Sequence, residues 1–369
     1  MTQEKLPDNT GAQNVVKDIF ERKKPDEISS RKISSLFGGP APAQARTAAP
    51  ERERQFSGYL PVGLDVSPDG ISFARVGRSE GRLMLAGGSF AGSSEAGASI
   101  KQCVSGNGLK GDAVIGLPAR DVKFRVVKLP PMPESEIDSA VTWAAAEALG
   151  MDARRMQEMS MDYAVLQEAG IPSADLMSTD IKILIAAANR EAVLENMREA
   201  SDAGLKVLAV EPSPLSLYAA MCSLSAGAED ASKLTLVLNI GRGSSEMIIG
   251  LGRDVWTVQE VAISADVLRG ALNDDGSVAS KPSVSSALES LIIDIEHSFK
   301  TVSGLFSRPD SLSPGRIAVS GPGAANKGIC PFLKKTFNIQ VSVFDPLGAG
   351  PELAAAVGLA LRGAKDEAV

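Results

Sequence analysis

Leu234-Thr235-Leu236-Val237-Leu238-Asn239-Ile240, the break Gly241-Arg242-Gly243, and Ser244-Ser245-Glu246-Met247-Ile248-Ile249-Gly250 decide the fold. Two apolar runs of strand length joined by a glycine-rich break predict strand, tight turn, strand. The same unit stands early in the chain: Leu60-Pro61-Val62-Gly63-Leu64-Asp65-Val66, the turn Ser67-Pro68-Asp69-Gly70, then alternating Ile71, Phe73 and Arg75. The recurrence predicts an internal duplication, and so an α/β protein of two similar halves.

Between the two units the punctuation continues in the α/β manner. Ala113-Val114-Ile115-Gly116-Leu117 predicts a strand stopped by Pro118, and Val122 to Leu129 predicts one whose Lys123, Arg125 and Lys128 face water. Pro130, Pro131 and Pro133 end it. Ile137, Val141, Ala144, Ala145 and Leu149 mark one side of a helix closed by Gly150, and Met161 to Leu166 reads as a returning strand. These pieces make a small β-α-β insert at 120–168. Ile181 to Ala188 reads as a buried strand, with Asn189 as N-cap of the next helix. Leu205 to Val210 is a further strand, and Glu211-Pro212 leads into a helix over 214–224. After the second unit come a long helix over 284–306, a strand Arg316 to Ser320, the turn Gly321-Pro322-Gly323, and a terminal helix through Ala354 and Ala360. The expected division is an N-terminal tail at 1–57, a first domain at 58–230 and a second at 231–369. The tail, with Gly38-Gly39-Pro40-Ala41-Pro42 and Glu51-Arg52-Glu53-Arg54, is expected to be disordered. It cannot bury enough apolar area to offset its ordering entropy. Within it Val15, Val16, Ile19 and Phe20, and again Ile33, Leu36 and Phe37, fall at near-helical spacing.

Composition narrows the function. With 369 residues, 44% hydrophobic and 22% charged, the chain belongs with soluble globular proteins large enough for two cores. A net charge of −7 disfavours nucleic acid and anionic lipid as direct partners. Cys103, Cys222 and Cys330 lie far apart and His297 is the single histidine, so neither a disulfide framework nor a His/Cys metal centre is expected, and a cytoplasmic setting is. No run of 18 apolar residues predicts a membrane span.

The chemistry concentrates at the ends of strands. Two glycine-rich turns, one per half, put backbone N–H groups where they can flank a polyphosphate. Asp65 and Ser67 end the first strand, and Asp65 suits Mg²⁺ held through water. Asn239, Gly241, Arg242, Gly243 and Ser244 form the second turn; Gly321 and Gly323 form a third that fits beneath a nucleoside. Glu211, before a proline-started helix, is placed to orient an attacking water. Each turn alone is ordinary hairpin punctuation. Their order is the signal.

Val62-Gly63-Leu64-Asp65, Glu211-Pro212, Leu238-Asn239-Ile240-Gly241 and Val319-Ser320-Gly321-Pro322-Gly323 follow the order of the actin-like ATPases that include MreB and FtsA. Within that superfamily the chain resembles the PilM family of type IV pilus assembly. The text that carries the resemblance is Ile115-Gly116-Leu117-Pro118 leading to Lys128-Leu129-Pro130-Pro131-Met132-Pro133, Met161-Asp162-Tyr163-Ala164-Val165-Leu166, Ala203-Gly204-Leu205, and Ala356-Val357-Gly358-Leu359-Ala360-Leu361. It covers 58–363. The resemblance implies an actin-like fold of two ribonuclease-H-like domains, ATP and Mg²⁺ as ligands, and a cytoplasmic place beside the inner membrane. The membrane is then reached only through partners. It implies as partner the N-terminal cytoplasmic peptide of a PilN-like inner-membrane protein, bound near the insert by Phe124, Arg125, Val126 and Leu129, together with other pilus assembly proteins.

Departures from the family pattern bear on turnover. Asp65 is followed by Val66-Ser67-Pro68-Asp69 where small residues are usual; the second loop has Asn239 for an acid and gains Arg242; Ser264-Ala265 and Gly321-Pro322-Gly323 replace glycine runs. The expectation is an adaptor with slow or absent ATP hydrolysis. Two rivals are an active actin-like ATPase or cytoskeletal filament protein, and a GspL-like component of type II secretion.

Overall fold

The structure is a computed structural model that describes residues 59–67, 70–79, 82–90, 99–167, 180–225, 233–279, 282–306 and 312–362. The tail 1–57, with both of its short apolar runs, lies outside the described residues, as do Pro68 and Asp69. So does most of the expected boundary near 230, since 226–232 are not described.

In chain order the first part comprises β1 (Tyr59–Ser67), β2 (Gly70–Ser79), β3 (Arg82–Phe90), α1 (Ile100–Gly106) and β4 (Gly111–Leu117). There follow β5 (Val122–Leu129), α2 (Glu134–Ala148), α3 (Ala153–Gln157), β6 (Met159–Leu166) and β7 (Ile181–Asn189), then α4 (Arg190–Asp202), β8 (Leu205–Pro212) and α5 (Ser213–Leu224). The second part holds β9 (Lys233–Ile240), β10 (Ser245–Leu251), β11 (Asp254–Val261), α6 (Ala265–Leu268), α7 (Pro282–Ser303), β12 (Ser313–Ser320), α8 (Ile329–Phe337), β13 (Gln340–Val343) and α9 (Ala354–Arg362).

Two five-stranded sheets have the same order, β3-β2-β1-β4-β8 and β11-β10-β9-β12-β13. In each, three strands form an antiparallel meander and two join in parallel on the far side of the first. This is the ribonuclease-H-like arrangement, present twice, and the duplication read from the two hairpins is real at the level of topology. The parallel strands are crossover products and need helical cover on both faces. Accordingly β9, which pairs in parallel with β12, is apolar and largely buried; its antiparallel neighbour β10 is buried throughout as well, with α7 packed on β10 and β11 and Trp256 set against Phe306 in a tilted pair 4.1 Å between ring centroids.

The small lobe is a third sheet, ordered β5-β7-β6 and antiparallel throughout. Its middle strand is β7, which the sequence reading set apart from the 120–168 insert. The reason is visible in the packing. Ile181, Ile183 and Ile185 face the α2 residues Ile137, Val141 and Ala145, while Leu184 and Ala188 join the main core on the other face. A strand buried on both sides belongs in the centre of a sheet. Asn189 then caps α4, its side-chain oxygen accepting from the N–H groups of Glu191 and Ala192 at 2.9 and 3.2 Å.

The last helix crosses between the parts. α9, which in sequence follows the second sheet, packs on β1, β2, β4 and α5 of the first. Gly63 makes this possible: a Cβ there would sit 2.0 Å from the Ala356 carbonyl oxygen. Small residues Ala354, Ala355, Ala356, Gly358 and Ala360 on α9 complete the close approach, all of them buried. Among the described residues no helix is long and apolar enough to cross a membrane.

Candidate functional site

The ends of β1 and β9 point into one cleft of about 520 Å³, walled by both sheets. Of the residues singled out in sequence, Asp65, Ser67, Asn239, Gly241, Arg242, Ser244 and Gly321 line it. Gly243 and Gly323 do not. Gly323 faces inward, where an added Cβ would lie 2.2 Å from Ile240 Cγ2, so its smallness serves packing beneath the cleft. Gly321 has φ +76°, a conformation that favours glycine, and a Cβ would meet Asn239 Oδ1 at 2.5 Å. Its N–H donates to the Pro351 carbonyl at 3.0 Å, pinning the strand end.

Glu211 does not line the cleft. Oε2 accepts from Arg362 Nε at 2.9 Å and Oε1 from the Ser216 hydroxyl at 2.7 Å. Both oxygens are thus committed to α9 and α5, and the carboxylate ties the last helix to the first sheet rather than aiming at a water. Phe124 and Leu129 are also buried, the first in the main core and the second under α2. Of the four residues expected at a partner surface only Arg125 is exposed and Val126 half-buried.

The chemistry of the floor comes from two carboxyls. Asp65 lies near the end of β1, half-buried at the cleft, and its Oδ1 accepts a hydrogen bond from the hydroxyl of Ser213 at 2.5 Å. Burial pushes its pKa up, with the Ser213 hydrogen bond working the other way. Opposite lies Glu246, on β10 and directly across the strand pair from Asn239. Its Oε1 accepts from Asn239 Nδ2 at 3.0 Å, and its Oε2 from the Ala119 N–H at 3.2 Å. Ala119 opens the turn between β4 and β5, so this second bond joins the two parts across the floor. Burial raises the Glu246 pKa to about 7, and the charges of Asp65 and Glu260 add to the rise while Asn239 and Ala119 oppose it. Glu246 and Ser213 were both missed from sequence. A lone acid inside the apolar strand Ser245–Leu251 was the available signal.

Around the floor stand Arg120 and Arg242, with Glu260 and Glu352 at the rim. Buried carboxyls whose ionised forms are held at a disadvantage suit a cation, and the two guanidinium groups suit phosphate oxygens. Among the described residues no cluster of three or more His, Cys, Asp or Glu could hold a metal alone. A cation here would therefore arrive with an anion that brings its own oxygens, as Mg²⁺ does with nucleotides. The lining fits such a pair.

No family model matches the sequence, and no curated protein matches it. Solved structures do. A protein described as a PilM-PilN type IV pilus biogenesis complex aligns with TM-score 0.63 and 20% identity, covering 83% of this chain and 99% of that one. The cytoplasmic domain of EpsL, an inner membrane component of the type II secretion system of Vibrio cholerae, aligns at TM-score 0.41 and 12% identity, over 83% and 95% of the two chains. A Bacteroides thetaiotaomicron protein with an actin-like ATPase fold and unknown function aligns at 0.44 and 9%, over 81% and 95%. The fold is that of the actin-like ATPases.

Proposed function

We propose that the chain is an actin-fold adaptor of a type IV pilus or related secretion machine, working on the cytoplasmic side of the inner membrane and reaching it through protein partners. Its partner in this reading is an extended peptide of a PilN-like membrane protein, with other assembly proteins docking elsewhere. The observation that carries the reading is the insert sheet of a fold shared with a PilM-PilN complex over 99% of that chain: β5 lies at its edge, paired among the described residues with β7 alone. A sheet edge offers main-chain groups for an added strand. The buried Phe124 and Leu129 hold β5 in place; in this reading the exposed Arg125 meets the peptide, together with the half-buried Val126, which also packs against the main core.

Calorimetric titration of the full chain with a PilN-like N-terminal peptide tests this. Arg125→Glu weakens binding a few-fold at the rim, and Val126→Asp weakens it further by setting a charge against an apolar side chain. Unchanged affinity in a Val126→Asp protein with native circular dichroism removes the surface.

Were a nucleotide with Mg²⁺ to occupy the cleft, Asp65 and Glu246 would hold the cation and Arg120 and Arg242 the phosphates, and the cation would supply charge neutralisation for the phosphates. The adaptor reading expects phosphate release at background, because Glu211 is committed to Arg362 and Ser216 and no other base from the sequence pattern stands at the cleft. One observation favours the rival ATPase: Glu246 brings to the floor the acid that Asn239 lacks. Turnover abolished by Asp65→Asn would promote that rival.

A further inference from the structure

Trp143 is 74% exposed in the middle of α2, whereas Trp256 is wholly buried. On the helix surface Glu136, Trp143, Ala146 and Glu147 fall one, three, four and seven positions apart and share a face. That face is opposite Ile137, Val141, Ala144 and Ala145, which hold α2 on the insert sheet. α2 carries Glu134, Glu136, Asp138 and Glu147 and no basic residue. All four acids are exposed, and none forms an ion pair among the described residues. An exposed tryptophan set between carboxylates is a receptor for a chain segment with a cation and an apolar pair, through cation–π and charge contacts.

The same chain carries that chemistry outside the described residues. Residues 28–50 contain Arg31, Lys32 and Arg46 and no acid, in a protein of net charge −7, and Ile33, Leu36 and Phe37 fall at helical spacing just after the first two cations. We infer that residues 28–37 dock on the outer face of α2, with Arg31 and Lys32 against Glu136 and Glu147 and with Leu36 and Phe37 over Trp143. The tether is long enough. The stretch from Gly38 to Gly58 spans up to about 70 Å when extended, against a radius of gyration of about 19 Å for a domain of roughly 300 residues. A tethered segment acts at a local concentration in the millimolar range, so few contacts suffice. The inference stands apart from the peptide reading at β5, since it concerns another face and an intramolecular ligand.

Acrylamide quenching of intrinsic fluorescence reads it directly on the full chain, with Trp143→Phe giving the Trp256 background. The wild-type protein shields Trp143, and Arg31→Glu with Lys32→Glu raises its quenching constant several-fold, as does high salt. Adding Glu136→Lys and Glu147→Lys to that pair restores shielding, a result that loss of folding does not produce; circular dichroism monitors each variant. Equal quenching in wild type and the Arg31/Lys32 variant overturns the inference. So does shielding that grows with protein concentration, which assigns the face to a second copy.

Discussion

β1 and β9 occupy the same place in sheets of the same order, yet they present the cleft with different groups. β1 carries Asp65 near its end, a half-buried acid steadied by one hydroxyl from α5. β9 ends in Asn239, an amide whose role is to hold the acid Glu246 of the neighbouring strand. In the second sheet the acid is thus supplied by the strand beside the one that ends at the cleft. A second contrast lies two residues back, where β1 has Gly63 against α9 and β9 has Val237 in full burial. Duplicated sheets thus keep their backbone plan while the side chains that meet the cleft and the helices are free to change partners.

The largest effect comes from erasing the second contrast. Gly63→Val drives a branched side chain into the Ala356 and Ala360 backbone and exceeds the usual ~3 kcal/mol ceiling of overpacking, so little folded protein is recovered. Val237→Ala, at the matching position, costs about 2 kcal/mol for two buried methyl groups, measurable by denaturant unfolding. Equal losses at the two sites would mean that α9 does not seat on β1 as described.

Exchanging the first contrast comes next. Asn239→Asp places a second carboxyl in contact with Glu246, and the pair must share a proton. The variant is near wild type at pH 5 and loses about 3 kcal/mol at pH 8, the scale of an uncompensated buried charge. The wild type shows a milder form of the same slope. Glu246 has a folded pKa of about 7 against an ordinary 4.5, so the native state binds the extra proton between those values and stability falls as pH rises through that window. Glu246→Gln, with the Asn239 amide turned to match, flattens that part of the profile; a slope unchanged in Glu246→Gln would assign it to Asp254, whose pKa burial raises to about 6. Ser213→Ala is the smallest change: it removes one hydrogen bond from Asp65 and costs about 1 kcal/mol in thermal unfolding.

What the sequence shows and hides follows from these same residues. Hairpins β1–β2 and β9–β10 are legible because both strand runs and both breaks are local. Asp65, Asn239 and Gly321 are legible because strand ends carry the cleft. Glu246 is not, because only the register of β10 on β9 sets it beside Asn239. Glu211 misleads for a related reason: its position before α5 is local, but its partner Arg362 is supplied by α9, distant in sequence. The place of β7 between β5 and β6 is hidden likewise, since burial on two faces tells that a strand is central without telling in which sheet.

The return of α9 to the first sheet also sets an order in time. When the chain emerges from a ribosome, β1, β2 and β4 are made early, but the helix that covers them is made after every other described element. At about 5–20 residues per second the interval from Ser67 to Ala354 is roughly 15–60 s, long beside the microseconds to seconds in which small domains fold. The second sheet owes none of its strands to α9 and completes itself while the first still waits with an apolar face open. The half that is written first is therefore the half that finishes last, and through that interval it is the natural client of a chaperone.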